Sequence, residues 1–193
     1  MARGERPKNR IREIKMKILV VRHGQTEWNV LKKMQGRADI PLNDTGLEQA
    51  GELKKKIANK QYDIVYCSPL IRAKQTADII NDGKNTTIVY DDRLKERDYG
   101  EFEGVSKTSF NYDDFWAYNK NIRYKNAENV QDFFGRIYEF LNELKTKYQN
   151  ETVLIVCHAG VLKAIECYAN GMMPDDEIGP FLPDNASVRE YNL

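Results

Sequence analysis

ILVVRHGQTEWN, residues 18–29, begins with four apolar residues and continues directly into Arg22, His23 and Gly24. An unbroken, mostly β-branched run of this kind predicts a strand that is covered on both faces of a sheet. The arginine and the histidine therefore stand where the strand ends. The only other histidine, His158, has the same setting in TVLIVCHAG, residues 152–160. This shared placement predicts that both imidazoles lie at one edge of a sheet.

Strand and helix patterns alternate along the rest of the chain. Strands are predicted at 16–22, 63–67, 86–94, 152–157 and 187–192, and helices at 45–60, 69–80, 128–148 and 160–170. The aromatic segment 109–124 predicts a further short helix over the sheet. Alternation of this kind predicts an α/β fold over residues 16–193, a three-layer sandwich with a mostly parallel central sheet and helices on both faces.

Two of the helix starts are predicted from local signals. Thr45 and Glu48 have the spacing of a capping box, with Leu47 on the apolar face of the helix that follows. Ser68 and Pro69 have the order of an N-cap and a first helical residue.

Composition and charge exclude several classes of protein. The 193 residues carry a formal net charge of +1, so no overall field attracts the chain to nucleic acid or to anionic lipid. No apolar run approaches the ~20 residues that a membrane helix needs. We therefore expect the partner to be a small molecule rather than a nucleic acid or a membrane. The sequence leaves the oligomeric state open.

The termini and the cysteines indicate the compartment. Residues 1–15 hold six basic and two acidic side chains and are predicted to form either a flexible basic extension or a misassigned start that precedes translation from Met16. They contain no apolar segment typical of a secretory signal. Cys67, Cys157 and Cys167 are odd in number and lie in apolar patterns. They predict buried, reduced thiols and a cytoplasmic protein.

Polar side chains follow four of the predicted strands. Arg22 and His23 follow the first, Arg72 lies in the first turn of the helix after the second, Glu96 follows the third and His158 the fourth. In open α/β sheets, ligands bind outside the carboxyl ends of the strands. Two converging guanidiniums need an anion between them, and their planar donors suit phosphate oxygens.

The same residues supply the groups that phosphoryl transfer needs. The helix N-terminus at Arg72 favours an anion, Gly24 allows close approach of the backbone, and Asn29 can donate another hydrogen bond. His23 is a candidate nucleophile if its imidazole is neutral. Glu96 is a candidate to protonate the departing oxygen and later to deprotonate water.

These residues lie in a set of motifs that resembles the histidine phosphatase superfamily, whose name-giving group is the phosphoglycerate mutases. In chain order the motifs are VVRHGQTEWN, QGRADIPLNDTGLEQA, SPLIRAKQTA, LKERDYGEFEG, CHAG and NASV, and they span about residues 16–192. The resemblance implies that His23 becomes phosphohistidine and that Glu96 is the proton donor. It also implies that Arg22, Arg72, His158 and Asn29 hold the phosphoryl group, and it implies no metal and no dissociable cofactor for the phosphatase members.

Other sites remain open at this stage. His23 and His158 have side chains that suit zinc, although the adjacent arginines would repel a cation. Cys67 precedes Arg72 as in a cysteine phosphatase loop, with a spacing one residue short. Paired acids such as Asp91 with Asp92 suit magnesium, but such pairs in loops are usually only solvated.

The function predicted from the sequence is metal-independent hydrolysis of small phosphomonoesters through a phosphohistidine. The alternatives are phosphoglycerate mutase-type phosphoryl transfer and binding of a phosphorylated ligand without turnover. Mutases that the chain resembles have longer insertions and a longer tail than this sequence has, which favours the phosphatase. Arg37 and Tyr99 are candidate substrate-binding residues, Arg37 for a second anion and Tyr99 as part of an aromatic lid.

Overall fold

A five-stranded sheet with β4 at its centre organises the structure, a computed structural model that describes residues 16–175 and 183–193. The predicted basic extension, residues 1–15, lies outside the described residues. In chain order the strands are β1 (Lys17–Arg22), β2 (Ile64–Cys67), β3 (Ile88–Tyr90), β4 (Thr152–Cys157) and β5 (Val188–Asn192). Their spatial order is β3-β2-β4-β1-β5, and only β5 runs antiparallel to its neighbour.

The described helices cover both faces of this sheet. They are α1 (Glu27–Val30), α2 (Asp44–Lys56), α3 (Ile71–Asn81), α4 (Tyr112–Trp116), α5 (Val130–Lys147) and α6 (Ala159–Asn170). One apolar core joins the sheet to α5 and α6, and a second joins its other face to α2 and α3. The predicted α/β sandwich with a mostly parallel sheet is therefore confirmed.

The register between β1 and β4 determines where the two histidines lie. Arg22 pairs with Cys157 at the ends of the two parallel strands, and the amide N–H of His23 donates to the carbonyl of Cys157 at 3.0 Å. His23 and His158 are the next residues on each strand. Because parallel strands that end together deliver their next residues to the same edge, the pairing places both imidazoles side by side.

The predicted first residues of α2 and α3, the two helices that pack in the second core, are both wrong. Helix α2 begins at Asp44, and its N-cap is Asn43, whose side chain accepts from the amide of Gly46 at 2.8 Å. The Asn43 amide also donates to the side chain of Gln25 at 3.0 Å, a contact that the local capping pattern of Thr45 does not include. Leu47, predicted on the apolar face, is 40% exposed.

Helix α2 begins one residue earlier than predicted, whereas helix α3 begins two residues later. Its N-cap is Leu70, with no side-chain hydrogen bond, and its first residue is Ile71 rather than Pro69. The amide of Ile71 instead donates to the carboxylate of Asp39 at 2.6 Å. Ser68 is thereby left outside the helix, facing the site described below.

The region after β2 also differs from the prediction. Strand β3 has only three residues and is followed by a 3-10 helix, Asp92–Leu94, where the sequence predicts a strand to residue 94. The aromatic segment 109–124 forms the five-residue helix α4 after a 3-10 turn, Lys107–Ser109. Phe115 of this helix forms a separate buried cluster with Met34 and Tyr99, residues of the loops after β1 and β3.

Within the described residues, no helix is long and apolar enough to cross a membrane.

Helix α2 offers a matched test of the packing. Leu53 is 3% exposed and lies in the second core, whereas Leu47 on the same helix is 40% exposed and lies outside that core. We expect Leu53→Ala to lower the free energy of unfolding by about 2–5 kcal/mol because it opens a cavity. Leu47→Ala is expected to change it by less than about 0.5 kcal/mol. Urea denaturation of both variants checks this, and equal losses would contradict the assignment of the buried face.

Candidate active site

His23 and His158 lie next to each other in a buried cluster. Their ring centroids are 5.1 Å apart, and the two side chains are 4% and 0% exposed. His23 Nδ1 lies 2.7 Å from the carbonyl oxygen of Gly24. Because a carbonyl oxygen only accepts, this contact places the proton on Nδ1 of His23 and leaves Nε2 with a lone pair.

The second histidine is held by a residue that sequence reasoning missed. His158 Nε2 lies 2.7 Å from the hydroxyl oxygen of Ser68, at the end of β2. His158 Nδ1 is buried and has no hydrogen-bond partner among the described residues. Ser68 was interpreted as a helix cap, and only the late start of α3 leaves its hydroxyl available to the imidazole.

Arg22 and Arg72 are buried without a carboxylate partner in residues 16–175 and 183–193. Arg72 is 1% exposed and donates from its two terminal nitrogens to the carbonyls of Gly36 and Ala38, each at 2.7 Å. Arg22 donates from Nη1 to the carbonyl of Pro183. The Nε–H of each arginine has no partner in the described structure. Carbonyl oxygens orient the two guanidiniums but do not neutralise them, so the positive charge remains available to an anion.

Glu96 lies in the same cluster and is 6% exposed. Its two carboxylate oxygens accept from the backbone amides of Arg97, at 2.9 Å, and Gly160, at 3.0 Å. Gly160 is in the first turn of α6, two residues after His158. A Cβ atom there would lie 2.3 Å from a Glu96 oxygen and 2.8 Å from the ring of Trp116, so only glycine fits without displacement.

Gly24 and Asn29 hold the loop after β1. A Cβ at Gly24 would lie 2.5 Å from the carbonyl oxygen of Gly46, so its small size lets this loop pack against α2. The Gly24 amide donates to Thr76 at 3.1 Å. Asn29 Oδ1 accepts from Thr26, which caps α1. Asn29 Nδ2 has no partner within the described chain and remains a donor for a ligand.

The two candidate substrate-binding residues have different surroundings. Arg37 is exposed, and its guanidinium lies 3.5 Å from carboxylate oxygens of both Asp98 and Glu128. Tyr99 is 6% exposed and packs edge-on against Phe115, with ring centroids 5.4 Å apart. Tyr99 therefore belongs to the aromatic cluster beside the site, and a role for either residue in binding substrate stays a prediction.

The electrostatic environment keeps the imidazoles neutral. Burial, followed by the charges of Arg72 and Arg22, holds the pKa of His23 well below its usual value. Burial and then Arg72 lower the pKa of His158 in the same direction. Burial also lowers the pKa of Arg72 to about 10, which leaves its guanidinium charged at neutral pH.

Tyr112 of α4 and Lys107 of the 3-10 turn before it also interact electrostatically with this cluster. Burial and then Arg22 lower the pKa of the Lys107 amine, while Glu96 opposes the shift. Burial and then Glu96 raise the pKa of Tyr112 to about 12. The sequence analysis predicted Tyr112 only as one of the aromatic residues of a lid, and no periodicity pointed to Lys107, because the turn that holds it is too short to show one.

The rival sites have little support in the described chain. Cys67 is fully buried in the second core, and burial raises the pKa of its thiol, which opposes a role as nucleophile. Within residues 16–175 and 183–193, no three His, Cys, Asp or Glu side chains are grouped to hold a metal ion.

Known proteins match this chain over most of its length. Residues 18–193 match the model of the histidine phosphatase superfamily (branch 1). The chain is 39% identical over 160 residues to an uncharacterized phosphatase, PhoE, of Bacillus subtilis, covering 82% of this chain and 79% of that protein. It is 35% identical over 184 residues to the putative phosphoserine phosphatase 2 of Hydrogenobacter thermophilus, covering 92% of this chain and 89% of that protein.

A solved structure shows the same fold. The alpha-ribazole phosphatase of Shigella flexneri superposes with a TM-score of 0.80 at 27% sequence identity, over 91% of this chain and 89% of that one. The relatives are named as phosphatases, and their named substrates differ. The family match, the site and the fold together assign this chain to the histidine phosphatase superfamily, as a phosphatase.

Proposed function

We propose that this chain hydrolyses small phosphomonoesters without a metal, through a phosphohistidine on His23. The observation that carries the proposal is that three of the buried nitrogens without a partner in the described structure belong to this cluster: Arg22 Nε, Arg72 Nε and His158 Nδ1. Buried polar groups without hydrogen bonds are unfavourable, so they indicate a ligand that is to be bound. A phosphoryl group satisfies all three with its equatorial oxygens.

The nucleophile is supported by the state of His23. Its Nδ1–H faces the Gly24 carbonyl, so the Nε2 lone pair is free to attack phosphorus. The lowered pKa keeps the ring neutral before attack. Once the P–N bond forms, the ring gains positive charge that the phosphoryl oxygens, held by the arginines, compensate.

Glu96 completes the proton balance. As the P–O bond to the leaving group breaks, the carboxylic acid of Glu96 gives its proton to the departing oxygen. The resulting carboxylate then takes a proton from the water that attacks phosphorus. Cleavage of the P–N bond releases inorganic phosphate and restores neutral His23. The backbone amides of Arg97 and Gly160 hold the carboxyl group in place through both steps.

The substrate is proposed only as a class. The relatives named above include a putative phosphoserine phosphatase and an alpha-ribazole phosphatase, and both names denote phosphomonoesters of small metabolites. Phosphoserine is therefore a reasonable first member of a substrate panel. The three cysteines are buried, which suits a reducing compartment, and we include a cytoplasmic location in the proposal.

A direct test is release of phosphate from para-nitrophenyl phosphate in the presence of EDTA. We expect turnover to survive chelation, and we expect His23→Ala to lower it to background because the P–N bond cannot form. Adding 3-phosphoglycerate with a bisphosphate primer separates phosphatase from mutase activity. Full turnover by His23→Ala, or loss of turnover on chelation, would refute the mechanism.

The buried imidazoles predict a specific dependence of stability on pH. Because their pKa values are lowered in the folded state, the unfolded chain binds more protons once the pH falls below about 6.5. The free energy of unfolding should then fall by up to about 1.4 kcal/mol per pH unit for each histidine. Urea denaturation between about pH 7.5 and about pH 5.5 measures the slope, and His23→Gln should reduce it. An unchanged slope in that variant would contradict a neutral, buried His23.

The contact between Gly160 and Glu96 predicts a loss of rate without loss of fold. We expect Gly160→Ala to lower kcat by roughly a hundredfold, because its Cβ displaces the carboxylate. The matched control is Gly135→Ala on α5, where a Cβ would meet no atom within 4 Å. That control should keep kcat and gain up to about 1 kcal/mol of stability. Equal kcat values for the two variants would show that the position of Glu96 is not critical.

A further inference from the structure

Asn185, in the turn before β5, contacts the loop that carries the nucleophile. Its side-chain Nδ2 lies 3.1 Å from the carbonyl oxygen of His23, 3.2 Å from that of Gly24 and 3.3 Å from Oδ1 of Asn29. It belongs to the closing NASV motif, residues 185–188, to which no role has been given above. Three acceptors converge on one NH₂ group, which has only two hydrogens, so the contact is shared among them.

The Gly24 carbonyl has a particular importance, because it also receives the Nδ1–H of His23 at 2.7 Å. This hydrogen bond selects the tautomer in which Nε2 is the free nucleophilic nitrogen. A carbonyl oxygen has two lone pairs and can accept from both donors. A donor from Asn185 therefore fixes the direction of the carbonyl that in turn fixes the imidazole.

The contact with Asn29 orients a second group. Asn29 Oδ1 accepts from the Thr26 amide at 3.1 Å and from Asn185. Because an amide side chain has an acceptor end and a donor end, holding Oδ1 in this way turns Nδ2 in the opposite direction. That nitrogen is the donor proposed for the phosphoryl group.

The backbone around Asn185 holds the side chain in this position. The amide of Ala186 donates to the carbonyl of His23 at 3.1 Å, and the amide of Arg22 donates to the carbonyl of Ser187 at 3.1 Å. These bonds extend the β1–β5 ladder to the end of β1. Ala186 has a φ of 52°, in the left-handed region that an alanine rarely adopts, and it thereby closes the turn that aims Asn185 at the loop.

We infer that Asn185 is a positioning residue, which fixes both the tautomer of His23 and the orientation of the Asn29 amide. It touches neither reacting atom and acts through the Gly24 carbonyl and through Asn29. The inference rests on the proposed function, because it assigns Asn185 to the same phosphoryl-transfer site.

The test compares Asn185→Ala with Asn185→Asp. Alanine removes the donor, while aspartate keeps the volume of the side chain and turns the donor into an oxygen facing three oxygens. We expect both to slow phosphorylation of His23 by roughly tenfold to a hundredfold, with aspartate at least as slow as alanine. Asn192→Ala, at the far end of β5 from Asn185, is the matched control and should keep the wild-type rate. A residue that only fills space would tolerate aspartate.

A spectroscopic measurement separates positioning from general damage. The chain has only two histidines, so ¹⁵N-histidine labelling gives an NMR spectrum of two imidazoles. In the wild type we expect neutral His23 with its proton on Nδ1, and in both Asn185 variants a shift of its nitrogen signals toward a mixture of tautomers. The aspartate variant fills the same volume and remains informative if the alanine variant does not fold.

A double variant tests the route through Asn29. If Asn185 acts partly through Asn29, Asn29→Ala with Asn185→Ala should lose less than the product of the two separate losses in rate. Unchanged His23 signals in a folded Asn185 variant would overturn the inference. If the wild type itself forms no phosphohistidine, the proposed function fails, while the nitrogen signals still decide whether Asn185 sets the tautomer.

Discussion

The parallel register between β1 and β4 is the constraint on which the rest of the site depends. It ends both strands at Arg22 and Cys157, so the next residue of each is a histidine at the same edge of the sheet. Side chains alternate between the two faces of a strand, and a slip of one residue would move every buried side chain of β1 to the wrong face. The two apolar cores that cover the sheet therefore hold the register, and through it the spacing of the imidazoles.

The buried polar groups of the site lower the free energy of unfolding that these two cores raise. Arg22 and Arg72 are buried with carbonyl oxygens rather than carboxylates as partners, and His158 has one nitrogen without any partner in the described structure. Desolvation of such groups is unfavourable until an anion binds. A fully paired site would be more stable but would have no donors left for a phosphoryl group. Burial and then the charges of Arg72 and Arg22 lower the pKa of His23, so in the proposed mechanism one arrangement serves both the anion and the neutral nucleophile.

Local sequence signals were reliable where burial supports them and unreliable where tertiary contacts compete. The apolar runs of β1 and β4 form strands, because a continuous buried run has little alternative in a covered sheet. The capping pattern at Thr45 failed, since Asn43 is two residues away and also bonds to Gln25. The start of α3 was misplaced for a similar reason, because Asp39 satisfies the amide of Ile71 from a distant loop. Differences of about 1 kcal/mol decide between such caps, and one long-range hydrogen bond is enough to reverse them.

The sequence by itself determined the fold class, the family resemblance, and the placement of Arg22, His23, Arg72 and His158 at strand and helix ends. Each of these depends only on a residue and its near neighbours in the chain, because local apolar patterns show where strands and helices begin and end. Only the tertiary structure decided that Ser68 holds His158, that Gly160 leaves room for Glu96, and that Asn185 reaches the His23 loop from 161 residues away. Such contacts join segments that are distant in the chain, and they arise only when the packed sheet brings those segments together.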